Sequence, residues 1–173
     1  MKKEKIMKLL KNILPYIIIV ILVVLLRTFI ITPAMVNGDS MEPTLSNNNI
    51  VLLNKLNYKI DDINRFDVVV IKYKNEKLIK RVIGLPGEHI SFQDDRLYVN
   101  GFVEIEEFEH SETSDFNLEL LGYLNIPGDK YFVIGDNREN SVDSRTFGLV
   151  NKEDILGYVS TRIFPLNKIG RIK

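Results

Sequence analysis

The sequence contains no cysteine among its 173 residues. Disulfides, a thiol nucleophile and thiolate metal sites are therefore excluded. Histidine is also scarce, since only His89 and His110 occur, and this argues against a histidine-rich zinc site. We therefore predict neither a metal site nor a cofactor.

A basic stripe is missing as well, although the chain carries 23 basic and 23 acidic side chains. Residues 1–12 hold five lysines and a single glutamate, and with Arg27 they leave the chain from Ile30 onward with a net charge near −5. A mildly acidic domain has no electrostatic footprint for nucleic acid. We predict no nucleic-acid partner.

The sequence has a single long apolar segment, ILPYIIIVILVVLL at 13–26, which continues past Arg27 to Ile31. As a helix, residues 13–31 would be about 28 Å long, close to the hydrocarbon thickness of a bilayer. The uninterrupted run also fits the apolar core of a cleaved signal peptide, which is the rival interpretation. The residues that follow, RTFIITPAMV, contain no small-x-small cleavage site, so we favour a retained anchor.

The lysines before this segment, with no similar cluster just after it, place the N-terminus in the cytoplasm. The predicted organisation is a basic cytoplasmic N-terminus at 1–12, a single transmembrane helix at 13–31 and an extracytoplasmic catalytic domain at 32–173. The predicted location is the cell membrane, crossed once.

The pattern of the remainder of the chain predicts strands and turns. Asn100-Gly101 is a strong hairpin signal, and no helical period of ten or more residues occurs after residue 31. The fold class we predict is mainly β, an antiparallel barrel or packed sheets, with 95–130 as a possible insertion or β-subdomain. Strands are predicted at 65–73, 77–85, 89–92, 96–99, 102–105, 131–135 and 155–164.

The stretch VNGDSMEPTL places Ser40 in a turn shortly after the apolar segment. Without a cysteine or a well-placed histidine, a lysine is the remaining base for this hydroxyl. At an ordinary pKa, deprotonating a lysine at pH 7 costs about 4.6 kcal/mol, and burial among apolar groups removes that cost. Lys80 shares a strand face with Leu78 and Val82, which fits such a base.

The pattern does not decide the role of Lys80 by itself. A lysine that faces water from an edge strand is far commoner, and Lys72 and Lys77 also flank apolar runs. A third stretch, GDNRENSVDSRTFG at 135–148, is denser in hydrogen-bonding side chains than a turn requires. A hydroxyl from this loop could aim a buried amine.

Four motifs in this order behind an apolar segment resemble the conserved boxes of bacterial type I signal peptidases (leader peptidases), most closely of the Gram-positive type. They are GDSMEPTL, RFDVVVIK, KRVIGLPGE and GDNRENSVDSRTFG. The resemblance implies a membrane-bound serine endopeptidase with a Ser–Lys dyad. Such an enzyme removes N-terminal signal peptides from exported preproteins through an acyl-enzyme.

The resemblance also implies roles for individual residues. Ser40 would be the nucleophile and Lys80 the general base. Ser141 matches the serine that hydrogen-bonds the lysine amine, and Asp143 and Arg145 match a supporting pair. The implied partners are preproteins with signal peptides and the lipid bilayer, and we expect a monomer.

Two positions depart from the pattern. Gly38 stands where some relatives carry a serine hydroxyl that stabilises the oxyanion, so the oxyanion must rely on backbone N–H groups. Phe66 stands where the third box usually has a glycine, and the sequence gives no reason for it. Gly38 and Asp39 are predicted to support the turn that carries Ser40 (the nucleophile turn). Met35 and Val36 are candidates for the substrate pocket.

Three alternatives stay open. Self-cleaving repressors of the SOS response are also Ser–Lys peptidases, but they carry a DNA-binding domain where this chain has an apolar segment. A membrane-anchored binding relative with weak catalysis is the second, and a structural anchor with a β domain is the third. The last leaves the polar box at 135–148 unexplained.

Overall fold

The computed structural model describes residues 2–29, 31–55 and 63–172, with side chains described at 11–24, 32–55 and 63–172. Helix α1 spans Lys2–Phe29, with Pro15 inside it. In these ranges no helix is both long and apolar enough to cross a membrane. The predicted span at 13–31 includes residue 30 and the side chains of 25–31, which lie outside the described residues.

The prediction of a mainly β fold with antiparallel sheets is confirmed. In the described part of the chain, the larger sheet has eight strands in the order β1-β2-β11-β3-β4-β9-β10, and β12 pairs with β11. Its strands are β1 (Ile31–Met35), β2 (Ile50–Asn54), β3 (Val68–Tyr73), β4 (Glu76–Gly84), β9 (Lys130–Ile134), β10 (Val150–Asn151), β11 (Ile155–Phe164) and β12 (Gly170–Arg171).

A second sheet has four strands in the order β7-β6-β5-β8. Its strands are β5 (Ile90–Gln93), β6 (Arg96–Val99), β7 (Phe102–Glu104) and β8 (Phe116–Asn117). Short helical elements follow at α2 (Ser144–Phe147) and, as 3-10 turns, at Leu118–Leu121, Arg138–Asn140, Lys152–Asp154 and Leu166–Lys168. The limits 95–130 of the possible subdomain stay a prediction.

The predicted strand at 65–73 begins later than expected, at Val68. The reason is Phe66, whose φ of 71° lies in the left-handed region. A strand cannot pass through that conformation. The chain therefore turns at 64–67 before β3 begins.

Strand β4 lies at the centre of the larger sheet, because β3 pairs with one of its edges and β9 with the other. Its side chains contribute to all three hydrophobic clusters of the core: Ile79 to one, Leu78 and Val82 to a second, and Ile83 to a third. The third cluster joins β4 and β9 to the smaller sheet. Residues 80–84 are therefore all buried.

Candidate active site

The turn that carries Ser40 is anchored in the core at two points. Met41 and Leu45 are both buried, and the Leu45 N–H donates to the Met41 carbonyl at 2.8 Å. Gly38 opens the turn with a φ of 89°, a conformation that favours glycine. Ser40 itself is only partly buried, so its hydroxyl is held on a fixed turn and is still accessible.

The polar loop after β9 holds the same turn from outside. The Asn137 backbone N–H donates to the Ser40 carbonyl at 3.1 Å, and its side-chain amide donates to the Asp39 carbonyl at 3.1 Å. The Asp39 side chain is exposed, so its contribution to the turn comes through the backbone. Asn137 is a site residue that the sequence analysis missed.

Lys80 brings its amine to this turn from β4. Its residue is 2% exposed, and in the sheet it lies opposite Val69. The Lys80 Nζ donates to Ser40 Oγ at 2.8 Å and to Ser141 Oγ at 3.1 Å. The structure thus brings together three of the predicted site residues around one nitrogen.

The pKa of Lys80 is lowered from 10.5 to about 8, chiefly because burial destabilises the ammonium form. Nearby charges act in both directions: Asp143 and Asp136 raise this pKa, and Arg145 lowers it. Desolvation outweighs the carboxylates. An appreciable fraction of neutral amine is therefore available near neutral pH.

Asp143 organises the loop that carries Ser141. Its carboxylate accepts hydrogen bonds from the Arg145 side chain at 2.9 and 2.8 Å and from the Gly135 N–H at 3.1 Å. Burial by itself raises the pKa of Asp143, but the hydrogen bonds and positive charge of Arg145 outweigh it and the pKa is lowered. The carboxylate therefore stays ionised and fixes the start of α2, where it caps the helix.

Gly135 is required by a close approach of two chain segments. A Cβ at this position would clash with the Ser40 carbonyl oxygen and with Ser141 Oγ. Any larger side chain would therefore push apart the turn that carries Ser40 and the serine that contacts Lys80. The motif contains this glycine, but only the packing shows why it is needed.

Arg81 forms a buried ion pair next to Lys80, on the opposite face of β4. Its Nε and Nη2 donate to the two carboxylate oxygens of Asp136 at 2.8 and 2.7 Å, and both side chains are fully buried. Its guanidinium also lies 3.8 Å from the centroid of the Phe108 ring. Sequence reasoning missed this pair, although a buried-looking arginine in an apolar strand is a signal for one.

The same arginine gives Phe66 a structural role. Arg81 Nη1 donates to the Phe66 carbonyl at 2.9 Å, and the left-handed backbone of Phe66 is the conformation that a glycine adopts more easily. The usual glycine at this position is explained by that φ. In this chain the Phe66 ring compensates by packing edge-on against Phe108, with centroids 5.3 Å apart.

The two candidate pocket residues have different surroundings. Met35 is 59% exposed at the end of edge strand β1, whereas Val36 is 3% exposed and packs in the core. The Val36 N–H and carbonyl are both bonded to the 48–49 turn, at 2.8 and 2.9 Å. The assignment of both residues to a substrate pocket stays a prediction.

Two further points bear on what the site can do. The Gly38 N–H donates to Asn47 Oδ1 at 3.1 Å, so this amide is already engaged.

Among the described residues, no group of three histidine, cysteine or acidic side chains could hold a metal ion. A serine hydroxyl 2.8 Å from a buried lysine amine is an arrangement for nucleophilic acyl transfer.

The family described as "Signal peptidase, peptidase S26" has a sequence model that matches residues 8–164. The chain belongs to this family. It is 43% identical over 181 residues to signal peptidase I P of Bacillus subtilis subsp. natto, covering 99% of this chain and 96% of the relative. Signal peptidase IB of Staphylococcus aureus is 37% identical over 183 residues, covering 97% and 94%.

A solved structure supports the fold. The crystal structure of a signal peptidase I from Enterococcus faecalis is 35% identical and superposes with a TM-score of 0.53. It covers 57% of this chain and 97% of the solved chain. The contact between Lys80 and Ser40 described above is thus found in a chain of the peptidase S26 family.

Proposed function

We propose that this protein is a signal peptidase I that removes N-terminal signal peptides from exported preproteins. The observation that carries the mechanism is the 2.8 Å contact between Lys80 Nζ and Ser40 Oγ. Family membership supports the reaction and the substrate class. Ser40 is the proposed nucleophile and Lys80 the proposed general base.

Acylation begins with Lys80 in its neutral form. Its amine takes the Ser40 proton as Ser40 Oγ attacks the carbonyl carbon of the residue that ends the signal peptide. The oxyanion is stabilised by backbone N–H groups, of which the Ser40 amide is the nearest candidate. The tetrahedral intermediate then collapses, the peptide C–N bond breaks, and Lys80 returns its proton to the departing amine.

Deacylation reverses the roles of the same groups. Lys80 removes a proton from water, and the resulting hydroxide attacks the ester between Ser40 and the signal peptide. Collapse returns the proton to Ser40 Oγ and releases the signal peptide as a carboxylic acid. Ser141 keeps the amine aimed at the reacting atoms through both half-reactions, and Asp143 with Arg145 holds Ser141 in place.

The proposed location is the cell membrane, with the N-terminus in the cytoplasm and the catalytic domain outside. This proposal rests on the apolar run at 13–31 and on the lysines before it. From Ile31 to Ser40 there are nine residue steps, at most about 30 Å when extended. The nucleophile is thus tethered close to the bilayer, where an anchored preprotein would be confined to the same surface.

The test is cleavage of a preprotein with alanine at −3 and −1 by the purified full chain in detergent. Mass spectrometry of the products locates the cut, and Ser40→Ala, checked for folding by circular dichroism, is the control. We expect cleavage after the −1 alanine by the wild type and none by the variant. A wild type that binds the preprotein without cutting it would instead identify a binding relative. Cleavage at another site would point to a different Ser–Lys peptidase.

A further inference from the structure

Strand β11 contacts the turn that carries Ser40 through the side chain of Arg162. Arg162 lies in β11, near the end of the chain, and its Nη1 donates to the Thr44 carbonyl at 2.9 Å. Its Nε donates to the Lys168 carbonyl at 2.7 Å. One guanidinium therefore joins the turn that follows Ser40 to the loop that follows β11, and Arg162 and Thr44 are 118 positions apart in sequence.

Thr44 is held from a second side by the arginine next to the candidate base. Arg81 Nη2 approaches the Thr44 hydroxyl at 3.3 Å, and Arg81 itself is fixed by its buried pair with Asp136. Thr44, at the far end of the nucleophile turn, thus accepts hydrogen bonds from both β4 and β11. Asn137 holds the near end, at the Ser40 carbonyl.

This arrangement matters because Ser40 and Lys80 belong to different segments. Their contact of 2.8 Å depends on how the turn is placed relative to β4. Charge-assisted hydrogen bonds to a main-chain carbonyl are stronger and more directional than neutral ones. Loss of the Arg162 contact would remove one of the two arginine contacts that hold Thr44 and would leave both dyad residues in the chain.

We propose that Arg162 is a positioning residue for Ser40, so that strand β11 takes part in holding the catalytic geometry. The inference rests on the proposed peptidase function. The competing explanation is that Arg162 only fastens the loop after β11, through the Lys168 carbonyl. In that case its removal would lower stability but leave turnover by the folded protein unchanged.

The experiment compares Arg162→Ala with Arg171→Ala, measuring kcat and KM for preprotein cleavage and Tm for the same preparations. Arg171 is a matched control because it is an exposed arginine of the neighbouring strand β12, paired with Thr161 through the backbone. We expect kcat to fall on the order of 10- to 100-fold for Arg162→Ala, since small displacements of reacting groups cost that much. We expect KM to change little and Arg171→Ala to behave like the wild type.

Added guanidinium ion at non-denaturing concentration supplies a second readout. It should restore part of the kcat of Arg162→Ala by occupying the vacated position, and it should not raise the kcat of Arg171→Ala. Should Arg162→Ala fail to fold, Arg162→Lys against Arg171→Lys decides the question. A lysine can reach one of the two carbonyls but lacks the fork that reaches both, so a lower kcat at unchanged Tm is expected.

The inference is overturned if kcat per folded molecule is the same in the paired Arg162 and Arg171 variants. It is also overturned if guanidinium leaves the Arg162→Ala defect untouched. Failure of the proposed function is a separate result, because then the wild type itself would not cut the preprotein. An active wild type with an inactive Ser40→Ala and a fully active Arg162→Ala contradicts only the inference about Arg162.

Discussion

On the proposed mechanism, we expect Lys80 to set the acid limb of the pH–rate profile, at a position that follows from the burial of its side chain. Only the neutral amine can accept the Ser40 proton, so activity should rise with pH as Lys80 loses its proton. With its pKa lowered to about 8, kcat/KM should rise through pH 8 and level off above it. The perturbation is a change of pH from 9 to 6.

The magnitude follows from the two protonation states. With a pKa of about 8, roughly 90% of Lys80 is neutral at pH 9, about 9% at pH 7 and about 1% at pH 6. Activity should therefore fall about 90-fold between pH 9 and pH 6. With the ordinary pKa of 10.5, only about 0.03% would be neutral at pH 7, so burial raises the working fraction roughly 300-fold.

The assay is the initial rate of preprotein cleavage at low substrate concentration, from pH 5.5 to 10.5. Arg145→Met provides a perturbation of known sign, because the positive charge of Arg145 lowers the pKa of Lys80. The limb should move to higher pH in this variant and stay in place in Arg171→Met. A limb near pH 6.5, typical of histidine, or a rate that climbs without a plateau to pH 10, would refute the reasoning.

Two further predictions concern packing and stability. Gly135→Ala should abolish most cleavage, because its methyl group would clash with the Ser40 carbonyl and Ser141 Oγ, whereas Gly128→Ala, with open space around it, should be active; equal activities would show that the close approach is not required. Lys80→Met should stabilise the fold by up to about 3 kcal/mol at pH 7, because a buried lysine with a lowered pKa is penalised while it carries a proton. That penalty is complete below pH 8 and disappears towards pH 10.5. Urea unfolding should therefore show that the gain in the free energy of unfolding of Lys80→Met over the wild type shrinks across this range. A gain that grows with pH would contradict the assignment.

The strands that the sequence predicts are those whose apolar periodicity is a local property. Strands β6 and β11 begin and end at the predicted residues. Strand β1 is not among the predicted strands, because it follows α1 closely and contains Pro33, and proline is a poor strand signal. It is a strand because β2 pairs with it, and that pairing is a tertiary contact.

The burial of Lys80 shows a similar limit. Local pattern could not separate Lys80 from Lys72 and Lys77, which also flank apolar runs. In the structure Lys72 and Lys77 lie opposite each other at the exposed end of the β3–β4 hairpin. Lys80 lies further along β4, opposite Val69, and is buried. The burial of a strand residue depends on which other elements pack over that part of the sheet. The apolar periodicity of a single strand does not contain that information.

The contacts that complete the site are long-range. Arg81 and Asp136 are 55 positions apart, and Arg162 and Thr44 are 118 apart. The residue pattern suggested Ser40 and Lys80 as candidates, and the resemblance to a family then implied their roles and that of Ser141. It did not supply the distances among them or the arginines that place the nucleophile turn.

The most direct test of the account is single-turnover cleavage of a saturating preprotein by Lys80→Met. The same preparation reports folding through circular dichroism and urea unfolding, so loss of activity cannot be confused with loss of structure. We predict a folded protein, at least as stable as the wild type at pH 7, that leaves the preprotein uncut. A folded Lys80→Met that still cleaves within tenfold of the wild-type rate would show that another group deprotonates Ser40.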